Sequence, residues 1–269
     1  MKQSFSGKVV WVTGASSGIG EAMAKAFAAQ GAKLILSSRR EQELLRVKKE
    51  AGLTDENCLV LPIDLYHTEG ISQSVEKIKQ KFGTIDVLVC NAGITQRFGV
   101  NESTMEVNRQ IMELNFFSVI ALAKSVLPLM LEKKSGNIIV ISSVMGKISL
   151  PGRSMYAASK HALHGFFDAL RAEVYRDNIK VTVVCPGYIR TNVSVNALNA
   201  GGDVYGKMDK VQANGMSPEK CANGILKAAA KGKDEFYIGG MEMLALPFSR
   251  LFHGLFLSVV KRVTSKSKH

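Results

Sequence analysis

The 269-residue chain has only four cysteines, Cys58, Cys90, Cys185 and Cys221, and they show no paired spacing. No CxxC unit and no cluster of cysteine with histidine occurs, which excludes a disulfide scaffold and yields no metal site. Cys90 and Cys185 lie in apolar runs that read as buried strands, so both are expected to be small core residues in a reducing compartment. No stretch of about eighteen uncharged apolar residues appears, so no spanning helix is expected. Met1 to Gly7 is short and polar and leads straight into the first apolar run, which predicts no cleaved leader. Acidic residues are the scarcer sign, 23 against 35 lysines and arginines, leaving a net charge of +12. No basic run with interleaved aromatics accompanies that excess, so nucleic acid is not an expected partner. The excess reads first as a solvated surface that draws in an anionic cofactor, and second as a face for anionic lipid or an acidic carrier.

What is present is a hydrophobic content of 46% in a chain long enough to bury a sizeable core. Short β-branched runs alternate with longer helical stretches. Strands are expected over 8–13, 33–37, 57–61, 85–90, 137–141, 180–185 and 235–238. Helices are expected over 20–30, 41–51, 72–82, about 105–133 and 156–177, and from Ser217 onward. Ser217 can cap that last helix, with Pro218 in its first turn and Glu219 near the positive end of its dipole. Strict alternation of this kind predicts an α/β fold, a doubly wound parallel sheet of Rossmann-like type, as a single domain over 1–269.

The first strand runs into Thr13-Gly14-Ala15-Ser16-Ser17-Gly18-Ile19-Gly20, which opens the first helix. Unpaired amides and the positive dipole end at a helix N-terminus suit a pyrophosphate. Gly14 permits the turn, Gly18 lets backbone approach the phosphates, and Gly20 lets helix pack on strand. A glycine-rich turn alone is often only a turn; its position between a buried strand and an alanine-rich helix argues for more. At the end of the second strand an acid would hold a ribose 2′-hydroxyl, and an arginine would accommodate a 2′-phosphate. Here the chain reads Ser37-Ser38-Arg39-Arg40. Ser38 and Arg39, with Arg40 as a second cation, therefore point to NADP(H) rather than NAD(H). The bland alternative makes both arginines surface charges at a helix start.

Tyr156 and Lys160 stand at i and i+4 on one helical face. A free tyrosine is a poor acid–base at neutral pH, and a neighbouring ammonium, with the positive nicotinamide of an oxidised cofactor, is expected to lower its pKa. Ser143 follows the strand ending at Ile141, at the edge where open α/β sheets bind ligands, and can meet charge developing on a carbonyl oxygen. Ser142 is the neighbouring alternative, turned away by strand alternation.

Thr-Gly-x3-Gly-x-Gly and Ser143-x12-Tyr156-x3-Lys160 resemble the cofactor and catalytic motifs of the short-chain dehydrogenase/reductase family. Asn91-Ala92-Gly93 resembles that family's Asn-Asn-Ala-Gly, with Cys90 replacing the first asparagine. Asn115 matches the helix asparagine that completes a catalytic tetrad and holds a relay water, and Asp64, beside Leu65, matches the adenine-contacting acid. Pro186-Gly187 with Thr191 matches the segment that holds the nicotinamide carboxamide. The resemblance implies direct hydride transfer between nicotinamide and a carbonyl or carbinol carbon. Tyr156 would move the proton, Ser143 would polarise the oxygen, and Lys160 would tune the tyrosine and bind the ribose. Carbonyl reduction is the expected direction. Within the family, Ser154 to Glu173 is most similar to the dehydrogenase/reductase member 7 group, many of which handle lipophilic carbonyls such as steroids and retinoids.

The segment 191–215 is polar and glycine-bearing and is expected to be a mobile substrate-reading loop. Leu244 to Arg262, within an apolar region of about 241–269, suits either an interfacial helix or a pocket lid and subunit contact. In the first case Lys261, Arg262, Lys266 and Lys268 would meet anionic headgroups and place a cytoplasmic enzyme peripherally on a membrane. In the second the enzyme would be a homodimer or homotetramer. Three functions are in play: reduction of a lipophilic ketone or aldehyde, reduction of a 3-oxoacyl thioester, and non-catalytic sensing of NADP(H).

Overall fold

The computed structural model describes residues 5–266, with side chains as far as Arg262. Seven strands, β1 (Val9–Thr13), β2 (Lys33–Ser37), β3 (Cys58–Val60), β4 (Val87–Cys90), β5 (Gly136–Ile141), β6 (Ile179–Pro186) and β7 (Glu235–Ile238), form one sheet in the order β3-β2-β1-β4-β5-β6-β7. Every pair is parallel. β1 and β4 are buried at every position, as strands covered by helices on both faces must be. The doubly wound expectation holds. The strand order reverses between β1 and β4, and open sheets of this kind bind ligands in the crevice beyond that point.

The helices are α1 (Gly18–Ala28), α2 (Glu41–Glu50), α3 (Ile71–Phe82), α4 (Met105–Met112), α5 (Ser118–Glu132), α6 (Ser154–Val174), α7 (Lys210–Ala213), α8 (Pro218–Ala230), α9 (Ala245–Leu251) and α10 (His253–Lys266). Alternate strand side chains feed two cores. Trp11, Ile35, Leu88 and Ile138 pack with Ile78, Val126 and Phe167 on one face. Val10, Val12, Leu34 and Leu36 pack with Met23, Phe27 and Ile225 on the other. Trp11 is fully buried, and its indole N–H donates to Ser37 Oγ at 2.8 Å, so the one polar atom of the largest core residue is satisfied.

The helix expected over 105–133 is present but interrupted by a π-helical turn, Glu113–Phe117. Met105–Glu132 has a mean hydropathy of 1.8 over eighteen residues, long and apolar enough to cross a membrane by length and composition. The expectation of no such stretch, which counted uncharged residues only, is corrected to that extent. Packing accounts for part of the apolarity: Leu114, Val119, Leu122, Val126 and Met130 belong to the first core, whereas Met105, Phe117 and Leu131 are exposed.

Ser217 Oγ accepts from the Lys220 amide at 3.2 Å, and Pro218 opens the first turn of α8, as read from the sequence. Ser217→Ala should cost about 1 kcal/mol of stability by loss of this cap. Urea unfolding would detect it as a lowered midpoint at unchanged slope.

Two loop expectations change. The segment 191–215 is tethered: Leu198 exchanges backbone hydrogen bonds with Thr95 and Arg97, and Asp209 pairs with Arg97 and Arg153. Polarity alone could not reveal those partners. The C-terminal segment is not one helix but two, because Phe252 leaves helical geometry at φ −129°, ψ 52°. Leu251, Phe252, Leu255, Leu257 and Val259 are exposed, whereas Phe256 is buried. Lys266 and Lys268 lie beyond the described side chains.

Candidate active site

The glycine loop joins the buried end of β1 to α1. Helix α1 begins at Gly18, two residues earlier than expected, because the Glu21 amide already bonds the Ser17 carbonyl at 3.3 Å. Ser17 caps with backbone only, so the first-turn amides face the crevice without a side-chain acceptor. Gly14 has φ +64° and Gly18 φ +59°. A Cβ at Gly20 would overlap the Gly14 carbonyl and Asn91 Nδ2, which is the close helix-on-strand approach expected of it. Asn91 holds the loop by donating from Nδ2 to the carbonyls of Thr13 (3.0 Å) and Gly14 (3.2 Å). Thr13 Oγ1 donates to Val89 O and receives the Asn91 amide at 3.1 Å, so β1 and β4 are cross-linked despite Cys90 at the missing asparagine's position. Burial pushes the Cys90 thiol up to about 12, as it does Cys185 and Cys221, which marks these thiols as inert core groups.

Beyond β2 the two arginines divide. Arg40 turns to the glycine loop, donating from Nη2 to Ser16 Oγ (3.0 Å) and Ser17 Oγ (3.2 Å). Ser38 Oγ accepts from the Arg40 amide. Arg39 lies over the Tyr66 ring, 5.6 Å from its centroid. Behind them Arg46 binds Glu21, Glu43 and Glu50 and also donates to Ser16 O, which ties α2 to the loop. Sequence reasoning passed over Arg46, which looked like an ordinary exposed helix charge.

Ser143, Tyr156 and Lys160 meet at the C-terminal ends of β5 and β4. Ser143 sits in extended geometry at the start of a short turn, its Oγ accepting from the Met145 amide at 3.1 Å. Burial pushes the Tyr156 phenol up, while hydrogen bonding by Ser143 and the charges of Arg153 and Arg97 pull it down less strongly. Lys160 was expected to be the cation that depresses the phenol; it stands over the tyrosine ring, while Arg153 and Arg97 are the charges that pull the phenol down against burial. Lys160 Nζ donates to Ile141 O at 2.8 Å, 5.8 Å from the tyrosine centroid, and burial draws the ammonium down to about 8. Asn115, fully buried in the π turn, clamps Ile94: Oδ1 accepts its amide and Nδ2 donates to its carbonyl, each at 2.8 Å. Nδ2 also donates to Ser159 Oγ at 3.0 Å, so the side chain keeps only acceptor capacity for a relay water. Ser142, the neighbouring alternative, is directed away toward Lys160 O and His164.

One cavity of about 1060 Å³ runs from Ser38, Arg39 and Arg40 past the glycine loop to Tyr156. Ser16, Ser17, Ile19, Asp64, Leu65, Ala92, Gly93, Pro186, Gly187 and Thr191 also line it, whereas Gly20 and Asn115 stand behind the wall. At its far end stand residues the sequence reading missed: Arg97, Arg153, Glu242 and Phe256 line it, and Gln96 and Asp209 stand behind the wall. Gln96 accepts the Tyr156 amide at 2.9 Å, and Arg97 and Arg153 share Asp209 beside the phenol. Glu242 accepts the amides of Tyr188 and Gly240 at 2.9 Å, and Phe256 closes the wall, so the C-terminal segment reaches the pocket. None of these belongs to a short motif. Only the chain's return through long loops brings them together.

Among the described residues one group, His164, Asp168 and Glu235, gathers metal-capable atoms within 4.8 Å. Its carboxylates are already matched, Asp168 by Arg171 and Glu235 by Lys147. Burial pushes Glu235 up, but hydrogen bonds from Lys147 and Tyr237 outweigh it and hold the carboxyl at about 2. The folded state thus binds fewer protons than the unfolded one between the ordinary carboxyl pKa and about 2. Stability from this group is full above that window and lost as pH falls through it. Glu235→Gln should flatten the acid limb of a stability–pH curve, measured by thermal melts from pH 7 to 3; an unaltered limb would refute the assignment.

A family model described as short chain dehydrogenase matches residues 8–200. The chain is 46% identical over 234 residues to "Dehydrogenase/reductase SDR family protein 7-like" of Anopheles gambiae, covering 85% of this chain and 74% of that protein. It is 42% identical over 271 residues to "Dehydrogenase/reductase SDR family member 7B" of Bos taurus, covering 97% and 83%. Among solved structures, a short-chain dehydrogenase from Streptomyces avermitilis superposes with a TM-score of 0.80 at 30% identity, covering 97% of this chain and 99% of that one. The closed form of serine dehydrogenase complexed with NADP+ gives 0.79 at 26% identity, covering 87% and 95%.

Proposed function

Because the chain belongs to the short-chain dehydrogenase/reductase family, an oxidoreductase acting on CH–OH and C=O groups, we propose that it uses NADP(H) to reduce a lipophilic ketone or aldehyde. One observation carries the reading: the glycine loop with its arginines and the Ser143–Tyr156–Lys160 set open onto a single cavity. The residues present suit the cofactor. Gly14 and Gly18 leave a cradle that side chains would fill, since a Cβ at Gly18 would press on Thr191 at 3.0 Å. Two guanidiniums stand at the ribose end, and no carboxylate terminates β2. When bound, the nicotinamide supplies the hydride.

The chain's own groups do the rest. Ser143 orients the carbonyl oxygen and meets its developing charge, and Tyr156 gives that oxygen its proton. The raised phenol remains protonated at neutral pH, which favours reduction over oxidation. Lys160 holds the strand end at Ile141 and presents its ammonium to the ribose side. Asn115 keeps Ile94, and with it the cavity wall, in place.

Apolar lining by Ile94, Val144, Ile148, Leu150 and Phe256 supports a lipophilic substrate. The exposed apolar residues of α9 and α10 support a homo-oligomer contact built around a pocket lid, and the inert thiols fit a reducing, cytoplasmic setting. The decisive experiment measures NADPH and NADH affinity, then NADPH oxidation with steroid, retinal, quinone and 3-oxoacyl thioester carbonyls. Tight NADPH binding with turnover of a steroid, retinal or quinone is the expected result. Turnover confined to the thioester would replace the lipophilic reading, and binding without any turnover would overturn the enzyme reading.

A further inference from the structure

His164 lies one helical turn beyond Lys160 on α6 and is only 6% exposed. Its Nδ1 is 3.1 Å from Glu235 Oε1 on β7, and its Nε2 is 3.2 Å from Ser142 Oγ and 3.6 Å from Cys185 Sγ on β6. Ser142 Oγ is in turn 3.2 Å from the Lys160 carbonyl. Gly146, whose amide donates to Ser143 O at 2.8 Å, closes directly over the pair: a Cβ there would lie 2.6 Å from Ser142 Oγ and 2.9 Å from His164 Nε2. A connected polar chain thus runs from Glu235 through the imidazole to the backbone carrying both Ser143 and Lys160.

The chemistry of its members sets the proton positions. Glu235 is ionised and only accepts, so Nδ1 carries the imidazole proton and Nε2 presents a lone pair. The Ser142 hydroxyl, 3.2 Å from both Nε2 and Lys160 O, donates to that lone pair and shares its proton with the carbonyl, while Cys185, which remains a thiol, lies 3.6 Å from the same nitrogen. The Nδ1–H and the Ser142 hydroxyl then each have an acceptor. An apolar side chain in place of the imidazole would leave Glu235 and Cys185 short of partners and the Ser142 hydroxyl without one of its two neighbours.

We propose that Glu235, His164 and Ser142 form a positioning chain that clamps α6 to the Ser143 turn and so sets the Ser143–Tyr156–Lys160 geometry. The inference rests on the carbonyl-reductase reading above. Small displacements of reacting groups cost about tenfold to a hundredfold in rate. His164→Leu is therefore expected to lower kcat at least about tenfold while leaving the Kd for NADPH within about twofold. His164→Gln, which offers an amide donor to Glu235 and an acceptor toward Ser142 and Cys185, should restore kcat to within about threefold of the unaltered enzyme. Equal loss in both variants, or no loss in His164→Leu, would overturn the proposal.

If His164→Leu does not fold, Glu235→Gln tests the outer end. It should lower kcat about threefold or more at constant NADPH affinity, on the same misplacement logic. Unchanged kcat would refute the chain. Should the unaltered protein reduce no carbonyl, the functional reading fails separately, and the proton positions decide the inference. Long-range 1H–15N spectra should then show His164 as the neutral Nδ1–H tautomer, shifting in Ser142→Ala. The Nε2–H tautomer would overturn it.

Discussion

Replacing Tyr156 by phenylalanine should lower carbonyl reduction by about 10²- to 10⁴-fold, the range that a positioned proton donor contributes. The substitution removes one oxygen and little else. The Tyr156 amide still donates to Gln96 Oε1, the ring still stands beside Lys160, and α6 is otherwise untouched. NADPH binding should therefore stay within about twofold, by fluorescence titration. The unaltered enzyme should add a pH signature. Burial holds the phenol above its ordinary pKa, so the protonated form needed for reduction persists through neutral pH. Reduction should run level there and decline only as the phenol ionises at higher pH, while alcohol oxidation should rise over the same interval. A Tyr156→Phe variant retaining more than about a tenth of the rate would remove the phenol from the proton transfer.

The contrast between that phenol and its expected tuning shows where the sequence could be read and where it could not. The i, i+4 spacing put Tyr156 and Lys160 on one helical face, and strand alternation separated Ser143 from Ser142; both placements follow from local periodicity. Which cation the phenol feels is a different matter. Arg97 follows β4 and Arg153 precedes α6, and they come together only because Asp209, more than fifty residues later, returns to bridge them. No window of sequence contains that triad. The π turn at Asn115 is equally invisible, because it contains no helix-breaking residue and coincides with a pair of long-range hydrogen bonds to Ile94. The C-terminal break at Phe252 follows the same rule. Apolarity announced a helix, and only tertiary contact divided it into an exposed face and the buried Phe256.

Cofactor choice rests on charge, so charge removal should move it strongly. A 2′-phosphate adds an anion at the ribose end of the cavity, where Arg39 and Arg40 stand. Arg40 already turns its guanidinium to Ser16 and Ser17, and Arg39 is braced against Tyr66. Nearby carboxylates would oppose such an anion, but Glu21, Glu43 and Glu50 are taken up by Arg46 and Lys25. Arg39 and Arg40 are therefore the cations that meet the phosphate, with Asp64 a carboxylate lining the same cavity. A hydrogen bond to a charged group contributes about 1.5–3 kcal/mol, which corresponds to about 10- to 100-fold in affinity. Arg40→Ala should weaken NADPH by that factor and leave NADH within about twofold, and Arg39→Asp should shift preference toward NADH by adding repulsion. Arg40→Lys should fall between, keeping the charge but losing the planar fork. Raising salt should narrow the NADPH preference of the unaltered enzyme, because these cations are exposed. Calorimetric titration with both cofactors measures all four. If Arg39→Asp and Arg40→Ala each leave the NADPH-to-NADH ratio unaltered, the arginines are surface charges at the start of α2 and the discrimination lies elsewhere in the loop.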